Sequence, residues 1–176
     1  MTALLTIITS FLVSIITVLL REALSSKREA KTREEVRKNH LLSKLEALAD
    51  SLSLLPSALE ELHIERIKTM GNGVPPQDRL NAIEAKCNGL ITLYFDDDLG
   101  SYWKDAAAKC NVACNKSVEF MIANLSLIGD SKPPLMPGSA QGEAFKSAMN
   151  NFLSAFNSML TQMPNVRRSI ENGRRQ

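Results

Sequence analysis

From Ala3 to Leu20 the chain runs eighteen residues without a charge, and Arg21 ends the run. As a helix this is a rod about 27 Å long at about 1.5 Å per residue, which matches the thinner ordinary bilayers. It is rich in Ile, Leu, Val and Phe, and no Gly or Pro interrupts it. A cleavable signal would carry basic residues ahead of a shorter apolar core and small residues at the cut. Here no basic residue precedes Arg21, and Ala23-Leu24-Ser25 is a poor cleavage site. Residues 1–21 are therefore expected to form an uncleaved, single-pass transmembrane helix.

Charge sets the expected orientation. Arg21, Lys27, Arg28, Lys31, Arg33, Arg37 and Lys38 follow the run, whereas Met1-Thr2 before it has no charged side chain. Short basic flanks stay on the cytoplasmic side, so the N-terminus is expected outside and the remaining chain in the cytoplasm. The three cysteines show no disulfide-framework spacing, which agrees with a reducing compartment. Within the run, Thr6, Ser10, Ser14 and Thr17 recur every three or four residues and share one helical face. Small hydroxyl residues on one stripe let membrane helices approach closely, and Ser10-xxx-Ser14 fits that pattern. The alternative is that each hydroxyl bonds to the carbonyl one turn back.

Residues 22–40 are mostly Glu, Lys, Arg, Ser and Thr, with no face apolar enough to bury. Opposite charges one turn apart predict a solvated basic helical stalk, whose Arg21, Lys27, Arg28 and Lys31 would lie near lipid headgroups. A different pattern then begins. Leu41, Leu45, Leu48, Leu52, Leu55, Leu59 and Leu62 are spaced 4, 3, 4, 3, 4, 3, a heptad seam made only of leucine. It can close as a coiled coil with a second copy, or against later helices of the same chain. Pro56 disfavours one continuous helix, and Ser57-Ala-Leu-Glu60 reads as a capping box that starts a new one.

Gly71-Asn-Gly-Val-Pro-Pro76 ends that region. An amphipathic helix is expected from Asp78, with Leu80, Ile83, Cys87, Leu90, Ile91 and Tyr94 on one face, ending at Asp96-Asp-Asp-Leu-Gly100. A longer helix follows over 101–128, its inner face running Trp103, Ala107, Cys110, Cys114, Ser117, Met121, Leu125 and Ile128. After the loop Gly129–Gly142, a last helix places Phe145, Ala148, Phe152, Phe156, Met159 and Met163 together, and residues 164–176 are expected as a disordered basic tail. No strand pattern occurs. The expected fold is all-α: a transmembrane helix, a polar helical stalk, and an antiparallel bundle of about four segments over residues 41–163.

Chemistry is scarce in this sequence. Cys110-xxx-Cys114, with Cys87 on the preceding helix, lacks the short C-x-x-C knuckles of structural zinc and falls on apolar stripes, where a thiol behaves as a small hydrophobe. Glu60-xx-His63 is half of a di-iron motif, and the second half is missing. Asp96-Asp-Asp98 would need a glutamate where Ala107 stands to make a calcium loop, so it reads as an acidic helix start. With two histidines and no phosphate loop, neither catalysis, nor a metal or cofactor, nor a small-molecule substrate is expected. A net charge of +2 and 5% aromatic residues also argue against nucleic-acid binding.

The function expected from these readings is that of a non-enzymatic scaffold or adaptor. It would act at the cytoplasmic membrane face and associate with itself or another membrane-associated protein. The competing readings are a lysis-like or toxin-like effector whose membrane helix oligomerises, and a metal-binding bundle enzyme.

Overall fold

A computed structural model of the chain describes the backbone of residues 2–69, 77–129 and 138–173, and the side chains of 17–69, 77–127 and 138–173. Everything described is helix or short connection. Helix α1 covers Thr2–Ser53, α2 Leu55–Lys68, α3 Asp78–Leu90, α4 Asp96–Gly129, α5 Ala140–Leu160 and α6 Met163–Glu171, with a wider π-helical stretch at Ile91–Phe95 between α3 and α4.

The leucine seam closes within the chain. Leu45, Leu48, Leu52, Leu55, Leu59 and Leu62 are all buried and Leu41 is half-buried, packed on the same core as Cys87, Ile91, Phe95, Phe152, Phe156 and Met159. The seam is therefore occupied inside the molecule and is not an open coiled-coil face. Its break lies slightly earlier than the capping-box reading places it. Leu54 is the junction, and Pro56 sits in the first turn of α2, where a missing N–H costs no helical hydrogen bond. Ser57 does not cap. Its hydroxyl donates back to the Leu54 carbonyl at 3.0 Å, because Ser57 already lies inside the first turn.

Pairwise contacts fix the helix directions. Glu61 on α2 pairs with Arg79 at the start of α3, while Tyr94 beyond its end meets His40 and Lys44 of α1. Helix α3 thus runs antiparallel to α1 and α2. The chain then reverses: the Trp103 indole N–H donates to the Asn88 carboxamide oxygen at 3.2 Å. Fifteen residues of straight helix would hold these two residues about 22 Å apart, so the helix folds back across the Ile91–Phe95 stretch and the acidic turn Asp96–Asp98. Helix α4 returns along α2, as the Arg66–Cys114 and His63–Ser117 contacts require. Helix α5 begins where Phe145 stacks on His63 and runs back along α4. Its start is capped by Ser139, whose hydroxyl accepts from the Gly142 N–H at 3.2 Å.

The C-terminal region departs from expectation. The segment expected as a disordered tail contains α6, which buries Val166 and Ile170 against the foot of α1. Lys38 fastens it by donating to the Glu171 carbonyl at 3.0 Å. Val166 and Ile170, spaced i and i+4, form a stripe just wide enough to dock one short helix.

The transmembrane reading is not carried by this structure. Among the described residues no helix is long and apolar enough to cross a membrane. Of the apolar run, Thr6, Ser10 and Ser14 lie outside the residues whose side chains are described, and only Thr17 to Leu20 lie within them.

Candidate functional site: an exposed arm and a buried polar cluster

Two features stand apart from ordinary core packing. The first is an arm. Every side chain from Val18 to Arg37 is exposed, and close packing on the bundle begins around Lys38 and Leu41. This stretch holds Arg21, Lys27, Arg28 and Lys31, all exposed as the stalk reading expects. It remains helical because it extends a helix already nucleated in the bundle, and each added residue then gains a hydrogen bond without a new nucleation cost. Local pairs assist: Glu29 lies 3.8 Å from Arg33, and Thr32 back-bonds to the Arg28 carbonyl at 3.0 Å. Val18, Leu19, Leu20, Leu24 and Val36 are apolar and more than half exposed on this arm. Where the arm meets α6, an open cleft of about 550 Å³ lies between Lys31, Glu35 and Lys38 on one side and Ile170 to Gly173 on the other.

The second feature lies inside the bundle. Extending the leucine seam by one more step of four from Leu62 reaches Arg66, whose side chain is wholly buried. Its Nη1 donates to the Cys114 carbonyl at 2.9 Å, while Nε and Nη2 have no hydrogen-bond partner among the described residues. One carboxylate oxygen of Glu84, on α3, is buried without a partner as well. Burial disfavours the guanidinium charge and lowers the Arg66 pKa, an effect that the neighbouring Cys114 opposes.

All three cysteines are buried free thiols, as their place on the apolar stripes leads one to expect. Their electrostatics differ. Burial pushes the Cys87 thiol up to about 11. Cys110 is raised by its hydrogen bond to Cys114 and by burial, so it keeps its proton. Cys114 is lowered, first by the hydrogen bond from Cys110 and then by the Arg66 charge, against the opposing effects of burial and Glu84. A cationic guanidinium here does not suit a bound metal cation. Among the described residues no three His, Cys, Asp or Glu side chains gather in a metal-binding group.

His63 adjoins the cluster. It shares a 2.9 Å hydrogen bond with Ser117 and stacks on Phe145 with ring centroids 3.6 Å apart and planes 18° from parallel. Ser117 is wholly buried, so this Ser–His pair is closed to a substrate. Glu60, the first half of the apparent di-iron motif, is exposed and faces away from the core. His40 lies toward the other end of the bundle, against Tyr94 at 5.7 Å. The two histidines therefore do not meet over the cysteines. Sequence reading missed Arg66 and Glu84, although both fall on apolar registers: Arg66 on the seam, and Glu84 four residues after Leu80 and three before Cys87.

Together these features define a helical bundle with a projecting N-terminal helix and a charged group in its core. No family of known proteins matches the chain, and neither a curated protein nor a solved structure resembles it significantly.

Proposed function

We propose that this chain is a single-pass, membrane-anchored interaction module, with its bundle held on the cytoplasmic side by the helical arm. The observation that carries this reading is the continuity of α1. One helix, Thr2–Ser53, links the eighteen-residue uncharged run to the buried leucine seam through a stretch that is exposed on all sides. An apolar run of eighteen residues at the end of an exposed arm calls for an apolar environment, and the hydrocarbon of a bilayer provides one. Arg21 and the six Lys/Arg that follow it to Lys38 favour retention of the arm on the cytoplasmic face. The function is then tethering: confinement to the membrane plane raises the bundle's effective concentration toward other membrane-bound proteins without any new contact. It is a binding role and not a catalytic one.

The partner proposed first is a second copy, joined through the Thr6, Ser10, Ser14 and Thr17 face, since the leucine seam is already filled within the chain. Mass measurement of the complex purified from membranes in mild detergent tests this. A dimer or higher assembly is expected, and the double substitution S10L/S14L should reduce it to monomer. A wild-type monomer with no co-purifying protein would remove the reading.

A further inference from the structure

The outer side of α1 and α2 carries opposite charge at its two ends. Arg21, Leu24, Arg28 and Lys31 follow one another at steps of three and four, so they share one side of the arm. Glu46, Asp50, Ser53, Ser57, Glu60 and Ile64 continue at the same steps farther along. All of these side chains are exposed, away from the buried seam leucines. From Arg21 to Arg33 the sequence has five Lys/Arg and two Glu, whereas from Glu46 to Glu65 it has five Asp/Glu and no Lys or Arg. Among the described residues the pairs Glu29–Arg33 and Glu61–Arg79 leave Arg21, Arg28, Lys31, Glu46, Asp50 and Glu60 without a salt-bridge partner. Exposed blocks of opposite sign attract, yet one chain cannot join them. Helix α1 runs unbroken over Thr2–Ser53 and holds Arg28 about 33 Å from Asp50.

We propose that these blocks pair between two copies of the chain lying side by side and antiparallel, the basic arm of each on the acidic α1–α2 side of the other. A register that sets Leu24 on Ile64 of the second copy also sets Arg28 on Glu60, and two-fold symmetry forms the contact twice. Leu24 and Ile64, 56% and 42% exposed, supply its apolar centre. Parallel copies would oppose like charges, which is costly, so charge selects the antiparallel orientation. Lipid headgroups do not serve the whole arm instead. On a spanning helix Lys31 stands about 16 Å beyond Leu20, about two Debye lengths at physiological salt. The contact is separate from the membrane-helix face, which joins copies within one membrane. On the anchored reading, on which this step rests, antiparallel copies stand in two facing membranes, and the module bridges them.

The full chain reconstituted into phosphatidylcholine vesicles tests the pairing, with vesicle clustering read by light scattering. Wild-type vesicles should cluster at about 50 mM salt and disperse at about 0.5 M, where screening is short-ranged. R28E/K31E and D50K/E60K should each lower clustering at least tenfold. Vesicles of one variant mixed with vesicles of the other should cluster like wild type, because each arm then meets a face of opposite sign. A mixture that fails to cluster overturns the proposal. So does a D50K/E60K chain that clusters like wild type, which would assign the arm to a different surface. A chain that does not float with the vesicles contradicts the anchored reading alone. The pairing is then decided by zero-length carbodiimide cross-links between isotope-labelled and unlabelled chains in solution. These should join Lys27 or Lys31 to Glu60 or Glu61, and their absence overturns it.

Discussion

At the scale of single residues, the buried side chains among the described residues are apolar except for Ser51, Arg66, Ser117 and Asn124. His63, which shares a 2.9 Å hydrogen bond with Ser117, gives this interior a pH dependence. Burial, and then the Arg66 charge, lower its pKa from 6.5. Its folded value lies below its unfolded one, so in that interval the unfolded chain binds more protons than the folded chain. The contribution of His63 is therefore fully present above about pH 6.5 and is lost as the pH falls through the folded value. Urea unfolding should accordingly show stability declining below pH 6.5, and H63Q should flatten that decline. A decline of equal slope in H63Q would assign it to other groups.

At the scale of elements, the leucine spacing specifies its helices well, because a 4, 3 repeat of one large apolar residue admits a single buried face. The break within it is also legible, since proline cannot continue a helix interior. Its position is not, because proline tolerates the first turn and Ser57 bonds backward there. Pro56 therefore contributes little strain. P56A should lower stability by less than about 1 kcal/mol, through the freer unfolded chain, as read from the urea midpoint. A cost near 3 kcal/mol or more in either direction would mean that the first-turn placement is wrong. Helix α6 escapes sequence reading because its four flanking and internal arginines dominate the pattern, leaving only Val166 and Ile170 to signal a buried side. V166D should free it. Trypsin cleavage after Arg167 or Arg168 should then accelerate at least tenfold, while the helical circular dichroism falls by no more than these nine residues supply.

Arg66 and Glu84 show the limit of such reading. A charged residue in an apolar register most often turns outward, and only the packing of α2, α3 and α4 shows that these two do not. The reversal between α3 and α4 is half legible. The acidic turn with Gly100 signals an end to the first helix, but the backbone stays helical through the bend, where the Trp103–Asn88 hydrogen bond spans the two arms.

At the scale of the whole molecule, one helix joins three environments: an uncharged run, a bare arm and a leucine core. That arrangement makes sense of the stretch from Val18 to Arg37, whose side chains are all exposed. The arm from Val18 to Arg37 is about 30 Å long at about 1.5 Å per residue, enough to hold the bundle clear of a surface while keeping it tied there. Membrane anchoring through residues 3–20 is the central claim, and alkaline carbonate extraction of membranes from cells expressing the full chain tests it most directly. The wild-type chain is expected to stay in the pellet. V13R, which places a charge at the middle of the run at an insertion cost of about 2.5–3.5 kcal/mol, should shift a large fraction to the supernatant. Release of the wild-type chain by carbonate to the same extent as V13R would contradict it.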